Sequence, residues 1–227
     1  MANTMYDVLM ELPLLQGISR EQVSSFLLKT HVEFINLEDG ALIMKSGNAA
    51  DSLLYLITGT VKVEWCNNTG DLSITFEVGP KNLLGAANLF GMRRETPYTI
   101  RAKGKVSLMR VSKEQYLTLL QSQSQPIYLL NCLNYLSLRA QKPYELLAST
   151  KDMGIMSMLR MWVCTVTPSN AENIAVHVTM QALSKYSNMN EDELRHSLFT
   201  LHHERVIELG MDTICIPSRT KLADNSF

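Results

Sequence analysis

The sequence has little charge, few cysteines and no long apolar run, and each shortage limits the class of protein it encodes. Charged residues make up 19% of the 227 residues, hydrophobic residues make up 46%, and the formal net charge is −1. This apolar share is too high for an intrinsically disordered chain. A near-neutral chain also lacks the general basicity that attracts nucleic acid, so any such binding must come from a local surface.

The four cysteines are scattered, and no two have the short spacing of a zinc or redox motif. The amino terminus lacks the basic and apolar regions of a signal peptide, and no stretch approaches the roughly 18 apolar residues of a membrane span. We therefore expect a cytoplasmic protein with no membrane partner. The sequence contains no nucleophile elbow, glycine-rich phosphate loop or pair of metal ligands, so it indicates neither an enzyme nor a metal site.

Short β-rich runs separated by turn signals occupy residues 31–112. The turn signals include Thr58-Gly59 and Lys103-Gly104. This spacing predicts an antiparallel sandwich or barrel. Short helices are expected before it, over residues 6–30, where Ser19-Arg-Glu-Gln22 has the form of a capping box. The β-rich runs are Val32–Ile35, Leu42–Met44, Leu53–Ile57, Thr60–Trp65, Leu72–Val78, Tyr98–Ala102 and Val106–Val111.

A long helix is predicted from Pro126 to Leu147. We expect its apolar face to pack against the same helix of a second copy, although a helix packed on its own domain gives a similar pattern. Pro143 lies within this face and should kink or restart the helix. The face has the alternating spacing of four and three that is typical of coiled-coil a and d positions, at Leu129, Leu133, Leu136, Ala140, Pro143 and Leu147.

A second helix, Asp152–Thr167, is rich in methionine. Met153, Met156, Met158 and Met161 lie close to Trp162 in the sequence. We interpret this cluster as core packing rather than a metal or flavin site, because methionine fills irregular gaps in apolar cores.

The carboxy-terminal residues predict a strand, two helices and a β-hairpin, in that order. Strand Ile174–Val178 precedes Thr179, which can cap the first helix. After a turn, Asn190-Glu-Asp-Glu193 forms a capping box for a second, amphipathic helix. Residues 207–216 give a strand, turn and strand, and residues 218–227 a polar tail. This order is typical of a winged helix-turn-helix.

Nearly the whole chain resembles the bacterial transcription regulators related to the cyclic-AMP receptor protein and the fumarate–nitrate regulator. The matching residues are Leu37-Glu-Asp-Gly40, Lys45-Ser-Gly47, Leu54-Tyr-Leu-Ile-Thr-Gly-Thr-Val61, Ile100-Arg-Ala102, the long helix and Thr179–Pro217. The resemblance implies an α+β fold in three parts: an amino-terminal β jelly roll of the cyclic-nucleotide-binding type (1–125), a dimerisation helix (126–150) and a carboxy-terminal winged helix-turn-helix (151–227). It also implies double-stranded DNA and a second copy of the chain as partners, and makes RNA polymerase a candidate partner.

The effector cassette implied by this resemblance departs from what a cyclic nucleotide needs. Ala86 stands where the family has a glutamate that accepts from the ribose hydroxyl, and Thr96 stands near the arginine that holds the phosphate. We therefore do not expect ordinary cyclic-AMP binding, and we expect no cofactor. Another small molecule, or no effector, remains open. The candidate pocket residues are Gly85, Ala86, Ala87, Asn88, Arg93, Arg94, Thr96, Pro97 and Arg101.

Other effector groups of this family are also poorly supported by the sequence. The first 65 residues contain no cysteine, and His31 is the only histidine in the first 176. An iron–sulfur cluster needs about four thiolates, and haem needs axial ligands, so neither group is expected. Arg93 and Arg94 either reach a different anion or lie in a solvated loop.

The start of the second carboxy-terminal helix is the implied reader of DNA bases. Glu191 and His196 stand where the family presents arginines, and Asp192 could accept from cytosine. Helix capping and interaction with the helix dipole alone account for much of this acidity and are the favoured explanation of it. Arg195 is the nearby fixed cation. The candidate DNA contacts are Thr179, Gln181, Asn190, Glu191, Asp192, Arg195 and His196.

Residues 151–227 carry seven Lys+Arg and nine Asp+Glu, so DNA binding would depend on a few cations and weaken at modest salt. These cations are chiefly Lys185, Arg195, Arg205, Arg219 and Lys221. The leading hypothesis is a homodimeric DNA-binding regulator that does not respond to cyclic AMP in the usual way. The alternative is an interaction or effector-sensing protein of the same architecture that has lost sequence-specific DNA binding.

Overall fold

The computed structural model describes residues 9–29, 31–121, 126–148 and 154–223. Their contacts divide the chain into two compact units. The first comprises Met1–Val61, Gly79–Thr96 and Arg101–Gln141, and the second comprises Lys62–Val78, Pro97–Ile100 and Lys142–Phe227. These limits differ from the predicted divisions near residues 125 and 150, because residues 62–78 group with the carboxy-terminal segments. The three functional segments stay a prediction.

The described residues form nine strands and seven α-helices. The strands are β1 Val32–Leu37, β2 Leu42–Met44, β3 Ser52–Cys66, β4 Leu72–Val78, β5 Asn82–Leu84, β6 Tyr98–Ser112, β7 Glu172–Val178, β8 Glu208–Gly210 and β9 Thr213–Ile216. The helices are α1 Arg20–Lys29, α2 Lys113–Leu120, α3 Ile127–Ala148, α4 Ile155–Val166, α5 Met180–Ser187, α6 Glu191–His203 and α7 Arg219–Ala223. Short 3₁₀ helices lie at Pro13–Leu15 and Ala86–Asn88.

Antiparallel strands build the first unit, as the sequence predicts. β1 pairs with β6 from Val32 opposite Val111 to Leu37 opposite Val106. β2 also pairs with β6, and β5 pairs with β3. The strands and the amino-terminal helices share one apolar core, whose buried members include Leu9, Leu12, Leu15, Val23, Tyr55, Leu89, Met109, Val111, Tyr116 and Tyr128.

Two glycines that predict turns lie instead inside long strands. The chain continues through Gly59 in β3 and through Gly104 in β6. Both have a left-handed backbone, with φ of +86° and +72°, which glycine adopts without a side-chain clash. A Cβ on Gly59 would overlap the carbonyl oxygen of Lys105. The predicted turns are therefore wrong, because these glycines let the strands bend and approach closely without ending.

The amino-terminal helices and the start of α3 are joined by specific hydrogen bonds. The Ser19 hydroxyl accepts from the Gln22 amide at 3.3 Å, and the Gln22 side chain accepts from the Ser19 amide at 2.8 Å. This confirms the predicted capping box. The Tyr128 hydroxyl donates to the Gln22 carbonyl, and the Asn131 side chain donates to the Gln16 carbonyl at 2.8 Å. The first turns of α3 are thus fixed to this unit.

Helix α3 runs without interruption through Pro143. The predicted restart at this residue is therefore wrong, since proline removes one amide donor from the helix but does not force it to end. The predicted a/d face is largely uncovered in the single chain. Leu129, Leu133 and Leu147 are 42%, 52% and 56% exposed. Ala140 is also exposed, and Leu136 is half-buried.

In the second unit, β4, β7, β9 and β8 are neighbours in that order, and the end of β3 pairs with β4. The predicted carboxy-terminal strand is β7, and the predicted strand, turn and strand after α6 are β8 and β9. The pairing of β4 with β7 is not predicted; it runs from Leu72 opposite Val178 to Glu77 opposite Glu172. The His177 ring bonds the Thr75 hydroxyl at 3.0 Å and the Thr213 hydroxyl at 3.2 Å, which joins β4, β7 and β9.

The helices of the second unit agree with the sequence except at their margins. α4 begins at Ile155 after an N-cap at Gly154. The earlier start predicted at residue 152, and Met153, lie outside the described residues. Part of the predicted polar tail forms α7, while residues 224–227 lie outside the described part of the chain. Arg219 explains why this segment folds: its Nε donates to the Thr167 hydroxyl at 2.9 Å, at the carboxyl end of α4.

Candidate functional sites

The predicted effector cassette begins at a short 3₁₀ helix. Gly85 is its N-cap in a left-handed conformation, with φ of +67°. Ala86 is buried in the core of the first unit, at 7% exposed, and Ala87 is exposed. The Asn88 side chain donates to the Glu95 carbonyl at 3.2 Å, so it braces its own loop. A buried methyl group cannot replace the carboxylate of a ribose-binding glutamate.

The three arginines predicted for the cassette all lie at the protein surface. Arg93 and Arg94 are exposed. Arg101 is also exposed, and its Nη1 donates to the carbonyl of Gly40 at 3.3 Å. Its predicted place in the pocket is therefore not supported, because alternation along β6 directs it to the turn after β1.

The two residues in the expected phosphate-binding positions fall in different units. Thr96 is 2% exposed, and its backbone exchanges hydrogen bonds with Gly47 and Asn48. Thr96 belongs to the first unit, and Pro97, which is half-buried, belongs to the second. Neither residue carries a charge that could pair with a phosphate.

The aromatic end of the cassette is packed into the core. Phe90 stacks on Tyr116 with ring centroids 6.1 Å apart, and the Lys113 ammonium lies 5.4 Å from the Phe90 centroid. Burial, and then the neighbouring Cys132 thiol, raises the pKa of Tyr116 above its usual range, so this phenol stays neutral at physiological pH. The cassette is thus held by packing as much as by its loop bonds.

A cavity of about 380 Å³ lies in the first unit, and no cassette residue lines it. Its walls come from β1, β2, β6, the start of β3 and the segment between β2 and β3. Sequence reasoning missed Arg110 in this wall, although it is the one cation in the apolar run Val106–Val111. Its Nε donates to the Ser52 hydroxyl at 2.9 Å, and its guanidinium lies 3.7 Å from Asp51 and 3.9 Å from Glu33. Two carboxylates therefore already offset its charge.

In the second unit, α5, a turn and α6 have the local bonds that the sequence predicts. The Thr179 hydroxyl caps α5 by accepting from the Ala182 amide at 3.2 Å. Asn188 ends α5 in a left-handed conformation. Asn190 and Glu193 then form the reciprocal capping box of α6, with bonds of 2.9 Å and 3.4 Å. The Thr179 cap and the capping box at Asn190 thus set where α5 and α6 start.

The amino-terminal half of α6 presents a mixed charged face to solvent. Leu194, Leu198 and Leu201 are buried on the opposite side. The predicted contacts Gln181, Glu191, Asp192, Arg195 and His196 are all exposed, as are the caps Thr179 and Asn190. Arg195 lies 3.8 Å from Glu191, so part of its charge is compensated within the helix.

Phe199 is a surface residue that sequence reasoning did not single out. It is 64% exposed on α6, seven residues after Asp192, and therefore on the same helix face. An exposed aromatic ring on a charged helix face can make an apolar contact with a thymine methyl group. Its position at i+7 from Asp192 is the signal that would have identified it.

Of the predicted DNA-contacting cations, Lys185, Arg195 and Arg205 are exposed. Arg219 instead caps α4, with further bonds to the carbonyls of Cys164 and Thr167, so its predicted availability for DNA is not supported. The side chain of Lys221 lies outside the described residues. His202 bonds the Ile207 carbonyl at 3.1 Å, which joins the end of α6 to the following segment.

Two other kinds of site are absent from the described part of the chain. Within the described ranges, no group of three or more His, Cys, Asp or Glu side chains is arranged to hold a metal ion. No helix in that part of the chain is both long and apolar enough to cross a membrane.

Comparisons with known proteins agree with the architecture of the first half. Residues 34–123 match the model of the cyclic nucleotide-binding domain. The potassium channel SKOR of Arabidopsis thaliana is 25% identical over 121 residues, which are 53% of this chain and 14% of the channel. The chain thus spans about one seventh of that relative's length.

Two solved structures share the fold. The sensor domain of the transcriptional regulator DNR from Pseudomonas aeruginosa is 24% identical, with a TM-score of 0.50, over 65% of this chain and 94% of that domain. The amino-terminal domain of a transcriptional regulator from Streptomyces coelicolor A3(2) is 22% identical, with a TM-score of 0.51, over 64% and 99%. The predicted α+β class is confirmed, and residues 34–123 have the fold of a cyclic nucleotide-binding domain.

Proposed function

We propose that the chain is a homodimeric, cytoplasmic, DNA-binding transcription regulator that does not respond to cyclic AMP in the usual way. The observation that carries the proposal is the series α5, turn, α6 and the β8–β9 hairpin, with the start of α6 exposed. In a helix-turn-helix, this part of the second helix enters the major groove. The resemblance of the sequence to regulators with this order of elements supports the proposal.

Arg195 is the residue we assign to DNA contact first. It is exposed on the α6 face and can bind a phosphate or the edge of a guanine. Thr179 and Gln181, at the start of α5, are suited to hold a phosphate through backbone and side-chain donors. Asp192 would accept from cytosine, and Phe199 would contact a thymine methyl group.

The exposed face of α3 supports a homodimer. Leu129, Leu133 and Leu147 are about half-exposed in the single chain. Pairing two copies of α3 along this face would bury the leucines, and apolar burial stabilises an interface by about 25 cal/mol for each Å². A dimer would present two α6 helices to a two-fold symmetric DNA site.

The cassette supports a response to something other than cyclic AMP. Ala86 is buried and cannot accept a hydrogen bond through its side chain, and no cation of the cassette lines the cavity of the first unit. The positions of Ala86 and Thr96 offer a phosphate no charged partner, and an unpaired phosphate is costly to bury. We propose no resident cofactor and no enzymatic activity, and RNA polymerase is the protein partner that a regulator of this type would meet.

A second function is favoured by one observation. The first turn of α6 carries Glu191, Asp192 and Glu193, which would repel phosphates if they faced DNA. The alternative is an interaction or effector-sensing protein of the same architecture that has lost sequence-specific DNA binding.

Selection from a random duplex library separates the two functions. We expect the protein to enrich a two-fold symmetric sequence whose half-sites lie about 34 Å apart at moderate salt. A library that shows no enriched palindrome after repeated rounds would support the interaction protein and overturn the regulator.

A further inference from the structure

A second cavity lies within the second unit. It has a volume of about 740 Å³, within the range of small-molecule sites. Its walls are formed by the end of the β3 strand, α4, the end of α5 and Leu147 of α3. None of the candidate site residues predicted for effector or DNA lines it; of the predicted a/d face, Leu147 does.

The methionine-rich part of α4 faces this cavity instead of a closed core. Met158, Met161 and Trp162 line it, and each is half-buried. These residues are thus only partly covered by the protein, whereas the predicted core packing would enclose them. Methionine side chains adapt their shape to bound apolar groups and make favourable contacts with aromatic rings.

Aromatic rings supply the other walls. Trp162 meets Tyr186 edge to face, with ring centroids 5.4 Å apart and planes at 86°. Trp65 contributes a second indole from β3. Such walls favour flat ring systems, because rings gain from stacked and edge-to-face contacts beyond the area that they bury.

The lining contains no charged residue. Its polar members are hydroxyls and one amide: Ser157, Thr165, Tyr186, Ser187 and Asn188. A charged ligand would lose hydration without gaining an ionic partner, whereas a neutral ligand with one or two polar atoms could bond to these groups. We propose that this cavity is a binding site for an uncharged, flat aromatic small molecule.

The sequence offers an internal reporter for this site. The chain has two tryptophans, Trp65 and Trp162, and both line the cavity. N-phenyl-1-naphthylamine is an uncharged aromatic probe that accepts energy from tryptophan. Its matched charged form is 8-anilino-1-naphthalenesulfonate, which carries the same ring system with one sulfonate. Binding is measured without DNA, so its outcome does not depend on the proposed regulator function.

We expect saturable 1:1 binding of the uncharged probe to the full chain, with a Kd of the order of 10 µM and quenching of tryptophan emission. The sulfonated probe should bind at least about tenfold more weakly, because the sulfonate would be desolvated without a partner. Thr165→Phe should fill part of the cavity. It should lower the affinity for the uncharged probe by about tenfold or more. Thr118→Phe, an equivalent change at an exposed position of α2 in the other unit, should leave the affinity for this probe unchanged.

Three outcomes would overturn the proposal. One is the absence of saturable binding of the uncharged probe. Another is equal binding by the Thr165→Phe and Thr118→Phe variants, both checked for native circular dichroism. The third is a loss of probe binding as the protein self-associates, measured by sedimentation across protein concentrations; that result would assign the cavity to a second copy of the chain.

Discussion

The Tyr186 hydroxyl donates a hydrogen bond of 2.7 Å to the Asp71 carboxylate and accepts one of 2.9 Å from the Asn67 side chain. Asp71 and Asn67 lie at the turn between β3 and β4, and Tyr186 lies in the last turn of α5, just before α6. Together with the β4–β7 ladder, this bond fixes the β3–β4 hairpin to the helix pair proposed to hold DNA. The hairpin and the helices should therefore respond together to changes in either.

The bonds around Asp71 give it an abnormal acidity that can be measured. The Thr69 hydroxyl, then Asn67, then Tyr186 lower the pKa of Asp71 well below its usual range by donating to the charged form. Tyr186→Phe removes one of these donors and should raise the pKa of Asp71 part of the way towards 3.8, its ordinary value. Carbon-detected NMR titration gives the value directly. Tyr144→Phe, on exposed α3, is the control; an equal pKa in both variants would contradict the bond.

The same acidity predicts how stability depends on pH. Because the folded pKa of Asp71 lies below its unfolded value, its stabilising contribution is fully present above about pH 4 and is lost as the pH falls through the folded value. Urea unfolding should show Asp71→Asn to be less stable than the wild type at pH 6, with a smaller difference near pH 2.5. A difference that stays constant over this range would mean that Asp71 is not ionised in these bonds.

Gly59 should tolerate no side chain. A Cβ there would overlap the Lys105 carbonyl, in addition to the strain of φ at +86°. Gly104 has a similar φ of +72° but open space around the added atom, so Gly104→Ala measures the backbone strain alone. In urea unfolding, we expect Gly104→Ala to lower the free energy of unfolding by about 1 kcal/mol. Gly59→Ala should lower it by about 2–4 kcal/mol. Equal losses would show that β3 and β6 do not approach closely at this point.

Leu133 should be a contact between two copies of α3. It is 52% exposed in the single chain, and Leu133→Lys would place an ammonium in the proposed interface. Sedimentation velocity should show more monomer for this variant than for the wild type. We expect its dimer dissociation constant to rise by about tenfold or more. Leu138→Lys, at a 70% exposed position outside the a/d spacing, should leave the dimer intact. An unchanged dimer for Leu133→Lys would place the interface elsewhere.

Local signals in the sequence were sufficient for the helix starts and the order of elements. Ser19, Thr179 and Asn190 cap helices through residues three positions away, so a short window contains the whole interaction. The pairing of β4 with β7 joins residues about a hundred positions apart, and no local pattern encodes it. Gly59 predicts a turn that the structure does not have, because a turn and a bent strand both favour glycine. The cavity beside Trp65 could not be predicted either, because its walls come from segments that are far apart in the sequence.

DNA binding through α6 is the central claim, and the salt dependence of operator affinity tests it most directly. Fluorescence anisotropy on the selected palindrome should give a slope of log Kobs against log[salt] near −5, for about six phosphate contacts per dimer from Lys185, Arg195 and Arg205. Arg195→Gln should weaken binding and reduce the slope by about 2, one contact per protomer, while Arg101→Gln should change neither. Equal slopes for the two variants, or no saturable binding of any duplex, would contradict the account.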